Sequence, residues 1–458
     1  MIALSAAVLA SLYMPYGWPM DVAFVSFGIF LVAGHRHYGR REQFLITLAL
    51  GLSVAAAVLT PSAAELIRSA LERAVFLAAF MILLALLREG AITSPAVLQV
   101  GAYLTRQPPS RRYLSIHLGG HFLAILLNFG ALNLLGPLIK RGIEATTPDP
   151  GVAAIRMQRQ VSALARGFSW MVAWSPTAIT QALIFAVVPG VDPARMMVIG
   201  LLLVGLTSLA GWALDWLTGI AARRLIPANA RPQFSGGEPF PKSAFLNFAT
   251  VCLCLAGATM AIIYAAHVTT VPALMLVAPV VTLLWIVKQN AVHTDWVSLV
   301  CERLKTVSFI SMPQGSPEAI TLACAGYCGI CAAGLVDPHW FAESVGLAHW
   351  PDLAIYGAAM LIPPALSNIG LPPLMVITFF GALLSALPGL DFDPTLLAMA
   401  FCVGWALNLT GSPFSVTAII LARITGISGR QLTWRWNGWF SAVSFILSAL
   451  VLVAFSKF

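Results

Sequence analysis

Two short stretches decide the fold of this chain: Trp174-Ser175-Pro176-Thr177-Ala178-Ile179-Thr180 and Gly411-Ser412-Pro413-Phe414-Ser415-Val416-Thr417. They share the pattern S-P-x-[AS]-[IV]-T and lie 237 residues apart. A second mark precedes each copy, because Asn128 and Asn368 are each followed by one apolar residue and a glycine, and they lie 240 residues apart. Two marks that recur in the same order at nearly the same offset indicate an internal duplication.

The composition places these stretches in a membrane protein. The chain has 458 residues, of which 10% are charged and 59% hydrophobic, and its mean hydropathy is +0.86. Soluble domains carry about 25% charged residues, so soluble enzymes, disordered chains, collagen-like chains and disulfide scaffolds are excluded. The net charge of +8 comes from short basic clusters between apolar runs, a pattern typical of cytoplasmic loops. A nucleic-acid partner is not expected, since no continuous basic face is present.

We predict an all-α polytopic membrane protein with about eleven transmembrane helices and two re-entrant hairpins. The first hairpin, about 111–141, has Arg111-Arg112 at one end and Lys140-Arg141 at the other, so both ends are expected in the cytoplasm. The second hairpin, about 353–391, is bounded by aspartates without basic residues, so both ends are expected outside. Opposed hairpins predict an inverted repeat, the usual architecture of secondary transporters.

The duplicated elements divide the chain into segments. We expect N-terminal scaffold helices over 1–60, a first repeat over 61–226, a cytoplasmic linker over 227–242 and a second half over 243–458. Broken helices are predicted at about 167–190 and 394–423, and residues 151–166 are interpreted as a cytoplasmic connecting helix. Alternation of the spans puts the N-terminus in the cytoplasm and the C-terminus outside, and the expected location is a bacterial cytoplasmic membrane.

The two breaks carry the predicted chemistry. Proline inside an apolar run removes an amide hydrogen and interrupts the helix. The freed backbone groups are tolerated at membrane depth only where they line a protein cavity, and the N-termini of half-helices attract anions there. The predicted substrate- or ion-binding residues are Asn128, Gly130, Ser175, Thr177, Thr180, Ser367, Asn368, Gly370, Ser412, Ser415 and Thr417. Sodium is the one metal ion considered, at Asn128, Ser175, Asn368 and Ser412, and no other cofactor is expected.

Two ionisable side chains inside apolar runs are candidates for proton coupling. His121 lies on one helical face with His117 and Asn128, and imidazole changes charge near neutral pH. The alternative for His121 is a hydrogen-bonded histidine at a packed helix crossing. Asp215 lies inside the span that ends the first repeat, and its alternative is a salt bridge or an interfacial position.

The chain resembles the ion transporter superfamily, which includes divalent-anion/sodium symporters and the arsenite-efflux and sodium/proton antiporter branch. The resemblance rests on Arg88-Glu89-Gly90 at the end of a span, on Arg111-Arg112 and on the two units of hairpin and broken helix. The hairpin tips of that family carry Ser-Asn-Thr. Ser367-Asn368 matches the first two letters, and Asn128 matches the Asn. The resemblance implies a dimerising scaffold and a transport domain that moves like an elevator.

The main functional hypothesis is a secondary active transporter for a small organic or inorganic anion, coupled to sodium or protons. Two alternatives are a cation/proton antiporter or metalloid efflux carrier, and a membrane subunit for lipid or polysaccharide export. An enzyme is not expected, because the motifs G-x-S-x-G and G-x-x-x-x-G-K are both absent from the sequence. The expected partners are substrate, coupling ion, the lipid bilayer and a second copy of the chain.

Overall fold

The computed structural model describes residues 1–14, 16–225, 239–387 and 392–457. Its first ten helices are α1 (Ile2–Tyr13), α2 (Trp18–Gly34), α3 (Arg40–Leu59), α4 (Ala63–Ile92), α5 (Pro95–Thr105), α6 (Pro109–Leu127), α7 (Gly130–Thr146), α8 (Pro150–Trp170), α9 (Ile179–Val187) and α10 (Pro193–Leu225). Most of the predicted linker, residues 227–242, lies outside the described residues.

Within its described residues, the second half contains eleven α-helices. They are α11 (Lys242–Ala266), α12 (Thr270–Asn290), α13 (Trp296–Thr306), α14 (Met312–Gln314), α15 (Ser316–Gly334), α16 (Pro338–Val345), α17 (Asp352–Ser367), α18 (Pro373–Ser385), α19 (Pro394–Gly411), α20 (Val416–Thr425) and α21 (Trp436–Phe455). The described chain is therefore an all-α polytopic membrane protein, as the composition predicts.

One element order occurs twice along the chain. A long helix, a short helix, a hairpin, a broken helix and a final helix follow one another as α4 to α10 and again as α15 to α21. The two long helices, α4 and α15, pack against each other, and the two units interlock because α7 packs on α20 while α18 packs on α9. The inversion of one unit relative to the other stays a prediction.

Several of these helices begin with the same sequence signal, an aspartate followed by proline. Asp149 precedes α8, Asp192 precedes α10 and Asp393 precedes α19, and each carboxylate accepts a hydrogen bond from a backbone N–H in the first turn. Proline at the first helical position costs no hydrogen bond, because that N–H has no helical partner. The Asp-Pro signal thus opens the first half of both broken helices.

Glycine lets each hairpin approach its broken helix closely. A Cβ at Gly167 on α8 would lie 2.0 Å from the His117 carbonyl oxygen of α6. A Cβ at Gly404 on α19 would lie 2.8 Å from the Ala359 carbonyl oxygen of α17. The two glycines are 237 residues apart, the offset of the Ser-Pro-Thr pattern. The duplication therefore extends to the packing of the backbone.

The number of spans differs from the expected eleven. Among the described residues, seven helices are long and apolar enough to cross a membrane, or eight if α15 and α16, bent by 80°, form one span. The first helix has 12 residues, about 18 Å at 1.5 Å per residue, which is short for a hydrocarbon core of about 30 Å. The first broken helix is not among these apolar spans, because α8 contains several polar residues.

Three boundaries need correction. The connecting helix expected at 151–166 and the broken helix expected from 167 form one helix, α8, that begins at Pro150. The second half of α8 is buried and packs against α6, and the small residues of α8 allow that contact. The first hairpin runs from Pro109 to Thr146, with its turn at 128–129. The second hairpin runs from Asp352 to Ser385, and Pro363 and Pro364 lie inside its first helix, α17.

Candidate functional site

The first broken helix is interrupted between Trp170 and Ile179. Ser175 is fully buried there, and its Oγ lies 2.8 Å from the Thr177 Oγ1. The Gln181 Nε2 donates to the carbonyl oxygens of Val172 and Ala173 at 3.3 and 3.1 Å. These carbonyls lie next to the break, so Gln181 supplies a donor that the interrupted helix lacks. Gln181 was not among the predicted residues, although a glutamine in an apolar half-helix is a signal in itself.

The second break, between Gly411 and Val416, is closed by two serines. Ser415 caps α20, since its Oγ accepts from the Ala418 N–H at 3.2 Å, and it donates to the Leu409 carbonyl oxygen at 3.2 Å. The Ser412 Oγ accepts from the Ser367 Oγ at 3.2 Å. The tip of the second hairpin is thereby bonded to the second break.

The two hairpin tips differ in conformation. Asn128 has φ 49° and ψ −129° at the end of α6, and asparagine enters positive φ more readily than most residues. Asn368 has a helical backbone, its Nδ2 donates to the Pro364 carbonyl oxygen at 2.8 Å, and its Oδ1 accepts from the Trp434 indole at 3.3 Å. The positive φ of the second tip falls instead on Gly370, at +99°. The Asn368 amide is therefore already bonded within the protein.

A central cavity lies where the hairpins, the broken helices and the helices α3, α4 and α15 meet. Its empty space, including the part open to the outside, is about 870 Å³. Six helices begin at its wall. The first turns of α3 and α15 carry Glu42 and Glu318, whereas α7, α9, α18 and α20 begin there without an acidic residue, through Phe129, Ile179, Pro373, Leu374, Ser415 and Val416. The N-terminus of a helix carries a partial positive charge and free N–H groups. The four ends without a carboxylate create a setting that favours an anion.

Four buried polar atoms near the breaks have no hydrogen-bond partner within the described chain: Trp170 Nε1, Thr180 Oγ1, Asn408 Oδ1 and Thr417 Oγ1. The two threonines are the matching positions of the repeated pattern. Asn408, on α19, is 1% exposed and lines the central cavity. Unpaired buried polar atoms are uncommon and call for an explanation such as a ligand or an ion. Asn408 was not among the predicted residues, although an asparagine in an apolar helix could have indicated it.

The predicted residues are only partly brought together. Of these, Ser415 lines the central cavity, and Asn128 and Thr177 line a smaller cavity of about 380 Å³. The remaining residues do not line these two cavities: Gly130, Ser175, Thr180, Ser367, Asn368, Gly370, Ser412 and Thr417. The breaks therefore contribute to the cavity mainly through helix ends and apolar side chains.

Both ring nitrogens of His121 are hydrogen-bonded inside the protein. The indole Nε1 of Trp174 donates to Nε2 at 2.8 Å, and Nδ1 lies 2.9 Å from the Gly167 carbonyl oxygen. Because an indole can only donate, Nε2 must accept and Nδ1 must carry the proton. This neutral ring at a close helix crossing matches the alternative given for His121. Proton coupling through His121 stays a prediction, and it would require the bond to Trp174 to break.

Asp215 forms a bidentate ion pair with an arginine. The Arg159 Nε donates to Oδ1 at 2.9 Å, and a terminal nitrogen of Arg159 donates to Oδ2 at 2.6 Å. The pair joins α8 to α10. The salt bridge was the alternative given for Asp215, and a proton-coupling role stays a prediction.

No protein-family model matches the chain, and no curated protein matches it. Among solved structures, the fold is similar to that of the YdaH transporter of Alcanivorax borkumensis, with 13% sequence identity and a TM-score of 0.57, over 92% of this chain and 98% of that chain. It is also similar to MtrF of Neisseria gonorrhoeae, with 12% identity and a TM-score of 0.53, over 91% of this chain and 94% of that chain. At these identities the similarity concerns the fold.

Proposed function

We propose that this protein is a secondary active transporter that moves a small organic anion through the central cavity, coupled to sodium or protons. The observation that carries the proposal is the meeting of four helix N-termini without an acidic first turn at the wall of that cavity. These ends attract negative charge, and Arg41 on the same wall adds a positive side chain. Discontinuous helices that point their N-termini at a substrate are a known building plan of secondary transporters.

The lining of the cavity favours an organic anion over an inorganic one. Most of the wall is apolar or aromatic: Met81, Phe129, Ile179, Leu322, Leu374, Trp405, Leu409, Phe414 and Val416. A strongly hydrated inorganic anion gains nothing from such a wall, whereas an organic acid buries apolar surface against it. The unpaired Oδ1 of Asn408 accepts hydrogen bonds. The favoured cargo is therefore an amphipathic organic acid that also carries an N–H or O–H donor.

The similar folds support transport as the general role. One of the two similar structures is a transporter, and the other is described as illuminating a class of antimetabolite efflux pumps. For this chain we propose the elevator-type arrangement, with α4 and α15 in the scaffold and the hairpins and broken helices in the moving domain. A homodimer in the bacterial cytoplasmic membrane, with the N-terminus in the cytoplasm, is part of the same proposal. A catalytic role is not proposed.

Replacement of Asn408 by leucine tests the site. We expect Asn408→Leu to reduce uptake of the transported acid at least tenfold, because the substitution removes the unpaired amide oxygen from the cavity wall. The measurement is uptake into proteoliposomes of a panel of radiolabelled aromatic and aliphatic carboxylates, with sulfate for comparison. Gradients of sodium and of pH are applied separately.

A matched control for this variant is Asn133→Leu. Asn133 is an exposed asparagine on α7 that lies outside the cavity, and its substitution should leave uptake unchanged. Uptake of sulfate but of no organic acid would contradict the proposed cargo. Equal uptake by Asn408→Leu and Asn133→Leu would contradict the proposed site.

The unpaired threonine hydroxyls provide a test of sodium coupling. If sodium couples transport through the breaks, we expect sodium chloride to raise the thermal stability of the purified protein more than choline chloride, and Thr417→Val to abolish that difference. Without an ion, loss of an unpaired buried hydroxyl is neutral or stabilising, so the variant should keep or raise its stability in choline chloride. A stability that responds to pH alone would assign the coupling to protons.

A further inference from the structure

Arg88 lies between helix α4, the tip of the first hairpin and the start of α15. It is near the end of α4 and borders two cavities, one of which it shares with Asn128, Thr177 and Glu318. Its side chain is 22% exposed. A Cβ at Gly130 would lie 3.2 Å from the Arg88 Cγ, so the aliphatic stem of the arginine packs against the tip of the first hairpin. The guanidinium is thus held beside the moving hairpin by its own stem.

The guanidinium of Arg88 makes no hydrogen bond within the described residues. The nearest carboxylate oxygen of Glu318 lies 3.6 Å from it, and that of Glu89 lies 4.0 Å from it. Both distances exceed the usual length of an N–H···O bond. An arginine presents five donors in a planar fork that fits a carboxylate in a bidentate manner. These donors are therefore available at the wall of a cavity.

Glu89 is not free to use these donors, because it is bonded to a different arginine. A terminal nitrogen of Arg303, on α13, donates to the Glu89 carboxylate at 3.1 Å and to its carbonyl oxygen at 3.0 Å. Glu318 has no comparable partner: its side chain is 43% exposed and it faces Arg88 only at ion-pair distance. The Arg88–Glu318 ion pair is therefore not hydrogen-bonded, while the Glu89–Arg303 ion pair is.

We propose that Arg88 binds the carboxylate of the transported anion and that Glu318 takes the place of that carboxylate at Arg88 when the anion is absent. The inference rests on the proposed function and names its specificity-determining residue. Both carboxylates need the same guanidinium, so they compete for it. The anion should bind more strongly when the Glu318 carboxylate is removed, because no second carboxylate then competes for Arg88.

The other charged groups around Glu318 come from the helices packed on α15. Besides Arg88 and Glu89 of α4, they are Arg41 and Glu42 of α3, which line the central cavity with Glu318. The Glu42 carboxylate accepts from the Thr321 hydroxyl at 3.2 Å and from the Gly39 N–H at 2.8 Å. The Glu42 carboxylate is therefore already hydrogen-bonded at the start of α3 and to α15. Helix α18, which also packs on α15, carries no charged residue.

The test measures binding of benzoate and octanoate to the purified full-length chain by ligand-induced thermal stabilisation between pH 5 and pH 8. We expect Arg88→Gln to weaken binding of both acids by about 10- to 100-fold. Arg88→Lys keeps the charge but not the fork, and should also bind less tightly than the wild type. Glu318→Gln should bind both acids about tenfold more tightly than the wild type at pH 8, because the competing carboxylate is gone.

The matched control is Arg68→Gln on the same helix, α4. Arg68 forms an exposed ion pair with Glu72 at 3.2 Å, away from both cavities, and its loss should leave binding unchanged. The gain of affinity in Glu318→Gln is a result that misfolding cannot produce. The inference is overturned if Arg88→Gln binds as Arg68→Gln does, or if Glu318→Gln binds the acids no more tightly than the wild type.

The outcomes also separate this inference from the proposed function. If both acids stabilise the wild type and Asn408→Leu weakens their binding, but Arg88→Gln does not, the cavity is the site and only the role of Arg88 is wrong. If neither acid stabilises the wild type at any pH in this range, the proposal of an organic acid as cargo fails, and the role of Arg88 fails with it.

Discussion

Gly167→Ala should lower the thermal stability of the purified protein by several degrees. The added methyl group would lie 2.0 Å from the carbonyl oxygen, 2.8 Å from the carbonyl carbon and 2.9 Å from the Cα of His117. All three are backbone atoms of α6, so no side-chain rotation relieves the clash and the helices must separate. Overpacking of this kind costs about 1–3 kcal/mol or more.

Gly167→Ala should also disturb the break in the first broken helix. The Gly167 carbonyl oxygen accepts the hydrogen bond from His121, and separation of α6 from α8 strains that bond and the Trp174 bond behind it. We therefore expect loss of stability together with loss of transport. The measurement is thermal unfolding in detergent, followed by tryptophan fluorescence, with uptake into proteoliposomes on the same preparation.

A suitable control is Gly205→Ala on α10. Gly205 is exposed, and nothing lies within 4 Å of the Cβ that the substitution adds. Alanine is a better helix former than glycine by about 1 kcal/mol, so this variant should be as stable as the wild type or more stable. Wild-type stability in Gly167→Ala would contradict the close crossing of α6 and α8. Gly404→Ala, at the equivalent position of the second unit, should fail in the same way as Gly167→Ala.

Arg166→Met should destabilise the protein by about 3 kcal/mol, because it leaves polar groups unpaired in the interior. The arginine is 7% exposed. Its Nε donates to the Asn437 Oδ1 at 2.8 Å, and its terminal nitrogens donate to the carbonyl oxygens of Gly211 and Trp436 at 3.4 and 3.1 Å. Its guanidinium also lies 4.9 Å from the centre of the Phe440 ring, a cation–π contact.

This arginine joins the first broken helix to α10 and α21, so its loss acts on both units. Methionine keeps an unbranched apolar side chain like the stem of arginine but donates no hydrogen bond, so most of the loss comes from the bonds of the guanidinium. Arg111→Met, at an exposed position at the start of α6, is the control and should unfold at the wild-type temperature. An equal unfolding temperature for Arg166→Met and Arg111→Met would contradict the structural role of Arg166.

The fold was predictable wherever the signal is local. Proline and glycine act within a few residues, so the two breaks at Pro176 and Pro413 and the two hairpins could be located from the sequence. Helix starts were less well predicted, as α8 shows. In the sequence, the three arginines of α8 are typical of a cytoplasmic face. In the structure, Arg159 pairs with Asp215, and Arg166 donates to the Trp436 carbonyl oxygen. These partners are 56 residues or more away, and no local pattern reports them.

The residue types of the candidate site could be predicted from the sequence, but not all of the particular residues. The sequence pointed to serine, threonine and asparagine at the breaks, and Ser415, Asn128 and Thr177 do line cavities. It also pointed to Asn368, whose amide is bonded by Pro364 and Trp434. It did not point to Asn408. Whether a polar atom is paired depends on neighbours that are distant in the chain, and a motif does not contain them.

The sequence by itself determined that the chain is a helical membrane protein, that it is internally duplicated and where its helices break. These properties follow from composition and from short-range steric effects of proline and glycine. Only the tertiary structure decided which of the polar groups are unpaired and that six helices begin at one cavity. It also decided that Arg88 faces Glu318 while Glu89 is held by Arg303. The physical reason is that pairing and burial depend on contacts between helices, and the same residues can be structural or functional according to the partner that packing gives them.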